Sequence, residues 1–263
     1  AALCAHAAGK AAVTAQRMES AGKDTANWMS HGRTWDEQRF SPLAQINKSN
    51  VGQLRMAWSR GLTAGTQEST PIVYNGVMYS FRPGAGIIAL DATNGDQIWE
   101  YTRNYPREMT EAIGGPASAR SKSLAIWEDM IYFDAPDGFI IALDARTGKV
   151  RWERQAHDYK DKTQHTGGLI VAEGKVISNR TCEKRVGCFI SAHDARTGKE
   201  VWNIRTFPAE SDYTITGAPR IVKGKVIIGN GGAELGVRGY VTAYDAMTGK
   251  KVWRFYTIPG DPS

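Results

Sequence analysis

No stretch of this sequence approaches the roughly 18 consecutive apolar residues that a membrane-spanning helix requires. Charge of neither sign is gathered into a block. The 33 basic and 27 acidic residues are interspersed, and Lys and Arg recur singly in turns such as Arg146-Thr147-Gly148-Lys149. A nucleic-acid footprint needs clustered cations, often with stacking aromatics, so the net charge of +6 reads as a solvated basic surface and nucleic acid is excluded as a partner. The five histidines (His6, His31, His157, His165 and His193) show no metal-ligand spacing and are read as satisfied structural residues. No Gly-rich phosphate loop follows a strand and opens a helix, which argues against a nucleotide cofactor.

Cysteine is scarce as well. Of Cys4, Cys182 and Cys188, the last two flank the polar stretch 183–187, short enough for a hairpin tip to bring them within disulfide reach. Such a bridge would imply an oxidising compartment; two reduced thiols are the alternative. Neither a CxxC pair nor a nearby His favours zinc. Residues 1–26 lack turn chemistry and strand patterning. They are Ala-rich, with a small-residue run at 12–15 and no charged segment before it. They read as the remnant of a secretory signal or as a disordered tail.

What the chain has in excess is glycine and tryptophan, 28 and 8 among 263 residues. Glycine at that frequency signals many tight turns, and 41% hydrophobic with 23% charged residues excludes disorder and collagen. An all-β chain of one large or two ordinary domains is expected. Four segments then align without gaps: 89–99, 142–152, 192–202 and 243–253 each read Ala-x-Asp-Ala-x-x-Gly-x-x-x-Trp. Their aspartates, Asp91, Asp144, Asp194 and Asp245, lie 53, 50 and 51 residues apart, which is one propeller blade per period. In each unit a β-run leads into the Asp-Ala-x-x-Gly turn, and a second run carries the Trp. A further pair of runs upstream, as in 219–228, completes a four-stranded blade. Because they recur at one place, Trp99, Trp152, Trp202 and Trp253 are assigned to packing between neighbouring blades rather than to chemistry. Trp58, 41 residues before Trp99, reads as a degenerate copy of the same ending.

This repeat resembles the tryptophan-docking motif of the pyrroloquinoline quinone (PQQ) dependent alcohol dehydrogenases. The resemblance runs from about Asn27 to Ser263 and includes the segments 28–54, 67–71 and 213–219. Its most specific piece is Gly229-Asn230-Gly231-Gly232-Ala233-Glu234-Leu235-Gly236-Val237-Arg238-Gly239. The resemblance implies an eight-bladed β-propeller of which residues 27–263 would form the N-terminal part, about four blades. It also implies oxidation of an alcohol to an aldehyde or ketone at the C5 carbonyl of PQQ, with a calcium or lanthanide ion polarising that carbonyl. Electrons would pass to a cytochrome c or a membrane quinone. A periplasmic location goes with this, with inner-membrane attachment and a homodimer left open.

Glu234 stands out before any resemblance is invoked. It is a carboxylate within 229–236, where glycines let backbone approach a ligand and a hard cation would take the oxygen; a solvated loop glutamate is the plainer alternative. By resemblance Glu234 is a metal ligand, and Gly231, Gly232 and Ala233 lie against PQQ. Thr216 matches a threonine that contacts the quinone, and Glu68 matches a glutamate that bonds the cofactor near its rim. Two features depart from the family pattern. The adjacent cysteine pair of many relatives is missing from 112–123. Counting back from Leu124 puts Lys122 at the place of the family's arginine, with Arg120 as the alternative; either cation could hydrogen-bond a cofactor carboxylate or the C5 oxygen. The catalytic aspartate, a metal-binding asparagine and the tryptophan under the quinone are expected beyond Ser263, so no catalytic residue is assigned within the chain and it reads as part of a longer enzyme. A non-enzymatic propeller that binds proteins through blade edges would account for the docking motifs, but not for Glu234, Thr216 and Gly-Gly-Ala at the family's spacing.

Overall fold

The computed structural model describes residues 12–84, 86–113, 121–161, 163–183, 186–207 and 209–260. Among these residues the β-runs form sixteen strands in four four-stranded sheets, one per repeat, as the sequence predicts. Blade 1 holds β1 (Ile72–Tyr74), β2 (Val77–Arg82), β3 (Gly86–Asp91) and β4 (Gln97–Tyr101). Blade 2 holds β5 (Ala125–Trp127), β6 (Met130–Asp134), β7 (Phe139–Asp144) and β8 (Val150–Gln155). Blade 3 holds β9 (Ile170–Ala172), β10 (Lys175–Glu183), β11 (Gly187–Asp194) and β12 (Glu200–Arg205). Blade 4 holds β13 (Arg220–Val222), β14 (Lys225–Gly229), β15 (Tyr240–Asp245) and β16 (Lys251–Tyr256). Each sheet follows chain order with antiparallel neighbours, so the architecture is a run of up-and-down blades.

The motif's aspartate makes the turn. Asp144 Oδ1 accepts hydrogen bonds from the backbone N–H groups of Arg146 and Thr147, at 3.1 and 2.8 Å, and from the Thr147 hydroxyl at 2.8 Å. Asp194 and Asp245 repeat the pattern. The alanine before the aspartate lies opposite the tryptophan across the hairpin, and the register shifts immediately after it in all four blades. That bulge re-aims the tryptophan toward the next blade.

There it docks. Trp99 Nε1 donates to the Ala145 carbonyl at 2.9 Å, Trp152 Nε1 to that of Ala195 at 2.9 Å, and Trp202 Nε1 to that of Ala246 at 3.1 Å. Each indole lies flat against the turn glycine of the following blade; a Cβ built on Gly148 would come within 2.6 Å of the Trp99 ring. In blades 1 and 2 a tyrosine reinforces the contact, since Tyr79 and Tyr132 donate to the same two carbonyls at 3.1 and 3.0 Å. Trp58 Nε1 bonds the Ala92 carbonyl at 3.1 Å and its ring covers Gly95, so it docks on blade 1 as the others dock on their neighbours. Trp253 differs: it is 39% exposed against 7–8% for the other three motif tryptophans.

The segment ahead of the blades is folded onto them. Trp28 pairs with Val73 beside β1, and Val13 pairs with Glu128 at the end of β5. Between these points lies α1 (Ala15–Glu19), capped by the Thr14 hydroxyl, which accepts from the Arg17 N–H at 3.3 Å. Val13, Met18 and Ala21 are buried in one cluster with the β1–β3 and β5–β7 side chains. Residues 12–26, part of the stretch read as a signal remnant or disordered tail, thus pack on blades 1 and 2, while residues 1–11 lie outside the described residues. The apolar burial of these side chains is what fixes the segment.

Candidate cofactor site

The residues that lead into the four first strands, β1, β5, β9 and β13, gather at one end of the blade array. Thr70, ahead of β1, bridges Ser123, ahead of β5, and its N–H donates to the Lys122 carbonyl at 3.3 Å. Ser123 Oγ donates to the Leu169 carbonyl ahead of β9 at 3.1 Å. A Cβ on Gly168 would stand 2.2 Å from that Oγ, and one on Gly167 would stand 2.6 Å from the Gly217 carbonyl ahead of β13. The glycines of blade 3 thus let the lead-ins of blades 2 and 4 close on each other. The Lys122 ammonium then crosses from blade 2 to blade 4, donating to the Thr216 carbonyl at 3.3 Å.

The Gly-rich segment joins this arc from blade 4. Gly231 N–H donates to the Thr214 carbonyl at 2.7 Å, and Thr214 N–H donates back at 3.3 Å, two residues from Thr216. Gly232 sits at φ +103, where a side chain would also run into the Asp212 carbonyl at 2.6 Å, so only glycine fits. Ala233, Glu234 and Leu235 form a single 3-10 turn closed by Leu235 N–H on the Gly232 carbonyl at 2.9 Å, with Glu234 exposed on it.

Most of the expected site residues therefore converge. Lys122 meets Thr216 directly; the backbone of Thr70, two residues on from Glu68, bonds that of Lys122, and Gly231 pairs with Thr214, two residues before Thr216. Arg120 and the stretch 114–120 lie outside the described residues. A half-buried ammonium, an exposed threonine and the open backbone of Gly217, where a Cβ would meet nothing within 4 Å, suit a flat anionic ligand. For a metal the donor set is short. Glu234 supplies one carboxylate, and among the described residues no group of three or more His, Cys, Asp or Glu could hold an ion. A hard cation such as calcium takes 6–8 oxygens.

One cluster between blades 2 and 3 is not apparent in the sequence. Ser178 Oγ donates to Asp134 Oδ1 at 2.9 Å and lies 3.0 Å from His165 Nδ1. The His157 and His165 rings are 4.6 Å apart, and His157 Nδ1 is 3.1 Å from the Thr163 hydroxyl. Burial pushes the Asp134 carboxyl up to about 7 and the imidazoles of His157 and His165 down to about 2 and about 4. These histidines are structural but not satisfied: His157 Nε2 and His165 Nε2 are buried without a hydrogen-bond partner among the described residues, as is Asp134 Oδ2. No spacing signal marks the cluster, because β6, β10 and the β8–β9 connection bring it together only in three dimensions.

The family model for the PQQ glucose/ethanol/alcohol dehydrogenase β-propeller domain matches residues 28–149 and 106–263. The two matches share most of blade 2, as a repeated unit allows. A quinohemoprotein alcohol dehydrogenase of Pseudomonas putida, ADH-IIG, is 42% identical over 253 residues, covering 95% of this chain and 28% of that protein. The dehydrogenase subunit of a quinone alcohol dehydrogenase of Gluconobacter oxydans is 38% identical over 245 residues, covering 90% of this chain and 26% of that protein. The solved structure of the Pseudomonas putida ADH-IIG enzyme matches with a TM-score of 0.85 at 31% identity, over 96% of this chain and 43% of that chain. The chain thus spans little more than a quarter of the length of the two curated relatives. With four docked blades and the Gly-Gly-Ala-Glu segment against the lead-in arc, the chain belongs to the PQQ-dependent glucose, ethanol and alcohol dehydrogenase β-propeller family.

Proposed function

We propose that this chain is part of a PQQ-dependent dehydrogenase that oxidises an alcohol to an aldehyde or ketone. The observation that carries the reading is the convergence of Lys122, Thr216 and the Gly231–Glu234 segment at one end of the blades, in a chain 42% identical to a quinohemoprotein alcohol dehydrogenase. Bound PQQ supplies an electrophilic quinone carbonyl that accepts hydride from the alcohol carbon. Lys122 neutralises a cofactor carboxylate and fixes its orientation. Thr216 offers a hydroxyl and Glu68 a rim contact. Gly231, Gly232 and Ala233 present backbone against the ring, because glycine leaves the main chain uncovered. Glu234 contributes one carboxylate to a calcium or lanthanide site whose other ligands come from outside this chain. The names of the relatives support an electron acceptor that is a haem protein, a cytochrome c or a quinone.

A periplasmic location and a Cys182–Cys188 bridge belong to the same reading. The β10–β11 hairpin, paired out to Glu183↔Gly187, and the bonded state of the buried Cys188 support the bridge. The test is reconstitution of the full-length protein with PQQ and calcium, scored by quinone absorbance and dye-linked alcohol oxidation. Oxidation that appears with both additions and is lost in Glu234→Ala is the expected result. No quinone absorbance, and no effect of Glu234→Ala, would leave a non-enzymatic propeller as the better reading.

A further inference from the structure

The register of β10, β11 and β12 sets Arg180, Phe189 and Arg205 in one row across a face of blade 3, and Ser178, Ser191 and Asn203 in the next. This face meets blade 2, because the Ser178 hydroxyl reaches Asp134 of β6 at 2.9 Å. Both guanidiniums lie over the Phe189 ring, with Arg180 Cζ 4.1 Å and Arg205 Cζ 5.3 Å from its centroid. Two like charges thus share one ring. Among the described residues neither arginine makes an ion pair. Arg180 is half-buried, and among the described residues its one hydrogen bond runs from Nη1 to the Ala156 carbonyl, just past β8, at 3.4 Å. Burial holds its pKa below the ordinary value despite the more distant Asp161 and Glu200.

A small cavity opens at this place. Arg180, Phe189, Ser191 and Asn203 line it from the two rows, and Ala156 and His165 are also in its wall. Its free volume of ≈ 10 Å³ takes one water-sized guest, too small for phosphate or a carboxylate. Ser191 is 7% exposed, and its hydroxyl bonds no described residue. The Asn203 side-chain amide donates to the exposed Glu200 at 3.1 Å and keeps a second N–H. The free groups at the cavity are therefore donors, and the net charge beside it is positive. A water would satisfy the donors but leave two guanidiniums uncompensated, whereas an anion answers both. We propose that this cavity between blades 2 and 3 is an anion site that takes a single halide, chloride, on the Arg180 guanidinium and the Ser191 hydroxyl. Through the bond of Arg180 to the Ala156 carbonyl, the ion would help to hold the two blades together. The site uses no residue assigned to the cofactor.

The test uses the full-length protein, dialysed free of halide into sodium gluconate and titrated with sodium chloride or bromide at constant ionic strength. Gluconate is monovalent but too large for the cavity. The thermal midpoint should rise and saturate with either halide, as binding to the folded state alone requires. Crystals grown in millimolar bromide should show an anomalous peak beside the Arg180 guanidinium. Arg180→Gln should weaken the apparent halide affinity roughly tenfold, the effect of losing a charge-assisted hydrogen bond, and Ser191→Ala by a smaller factor. A midpoint that responds to halide no more than to gluconate overturns the proposal. So does a water with no anomalous peak at this position, or a peak that needs molar bromide, which marks an adventitious ion only. A halide response unchanged in Arg180→Gln also overturns it, since the ion then binds elsewhere. Where Arg180→Gln fails to fold, the bromide peak of the unmodified protein and the Ser191→Ala titration decide. Alcohol oxidation is scored separately, so failure here leaves the proposed function standing.

Discussion

At Gly148 two constraints coincide. Its φ of +70 lies in the left-handed region, and a Cβ there would press on the Trp99 ring at 2.6 Å. Gly174 has a similar φ of +66, but a Cβ there would meet nothing within 4 Å. Gly174→Ala therefore incurs only the backbone penalty, about 1 kcal/mol, whereas Gly148→Ala also displaces the docked indole and costs about 2–4 kcal/mol. Urea unfolding of the two variants reads the difference, and equal destabilisation would refute the contact. Asp134 offers a second residue-scale test. Burial raises its carboxyl to about 7, above the unfolded value of about 3.9, so the native state stays protonated while the unfolded chain ionises. Its contribution is present below pH 4 and is lost as pH rises through 7. His157 and His165, held low by burial, act in the opposite sense and remove stability as pH falls below about 6.5. Asp134→Asn should gain on the wild type between pH 4 and pH 8, by on the order of 2–4 kcal/mol at the upper end. Unfolding midpoints measured across that range would run parallel if Asp134 were ionised in the fold.

At the scale of elements, the hairpin ending in Trp is the unit that both builds a blade and joins it to the next. Trp152 is 7% exposed, packs at 5.9 Å from Tyr132 and donates to the Ala195 carbonyl. Trp152→Ala should cost about 3–5 kcal/mol, while Trp152→Phe keeps most of the packing and loses about 1 kcal/mol with the hydrogen bond. Thermal unfolding that failed to separate the two would show that the indole N–H, not the ring, holds the blades together. This unit was legible in the sequence because its determinants are local: an Asp bonding its own turn, a Gly at positive φ and a Trp at fixed spacing all fall within one eleven-residue window. The lead-in arc was legible only in part. Thr216 and the Gly-Gly-Ala-Glu run could be matched to a family pattern, but the contact between Lys122 and Thr216 spans 94 residues and two blade boundaries. The packing of Val13, Met18 and Ala21 was hidden for the same reason. An Ala-rich segment without strand patterning gives no local sign of the β1 and β5 surfaces that bury it.

On the scale of the molecule, the two flanks of the blade array have matching needs. On one flank, Leu43, Ile46, Leu54 and Met56, in the segment that leads to Trp58, are 50–79% exposed. Trp58 occupies on blade 1 the docking place that Trp99 occupies on blade 2, so the segment bearing it stands where the last strand of a preceding blade would stand. Among the described residues no strand pairs with 54–63. On the other flank, Trp253, Phe255 and Tyr256 of β16 are 39%, 66% and 41% exposed, although β16 repeats the sequence role of the buried Trp152 strand. Apolar surface of this extent on two flanks calls for cover. Under the proposed function, further blades supply it, with one turn glycine receiving Trp253 and one sheet pairing with the Trp58 segment to close the ring. In the full-length protein the amides of 54–60 should then exchange slowly, and Trp253→Ala should cost as much as Trp152→Ala. In the isolated 263-residue chain the same amides should exchange fast, Trp253→Ala should be close to neutral, and a hydrophobic dye should bind. Fast exchange at 54–60 in the full-length protein, together with a neutral Trp253→Ala, would mean that these flanks serve some contact other than ring closure.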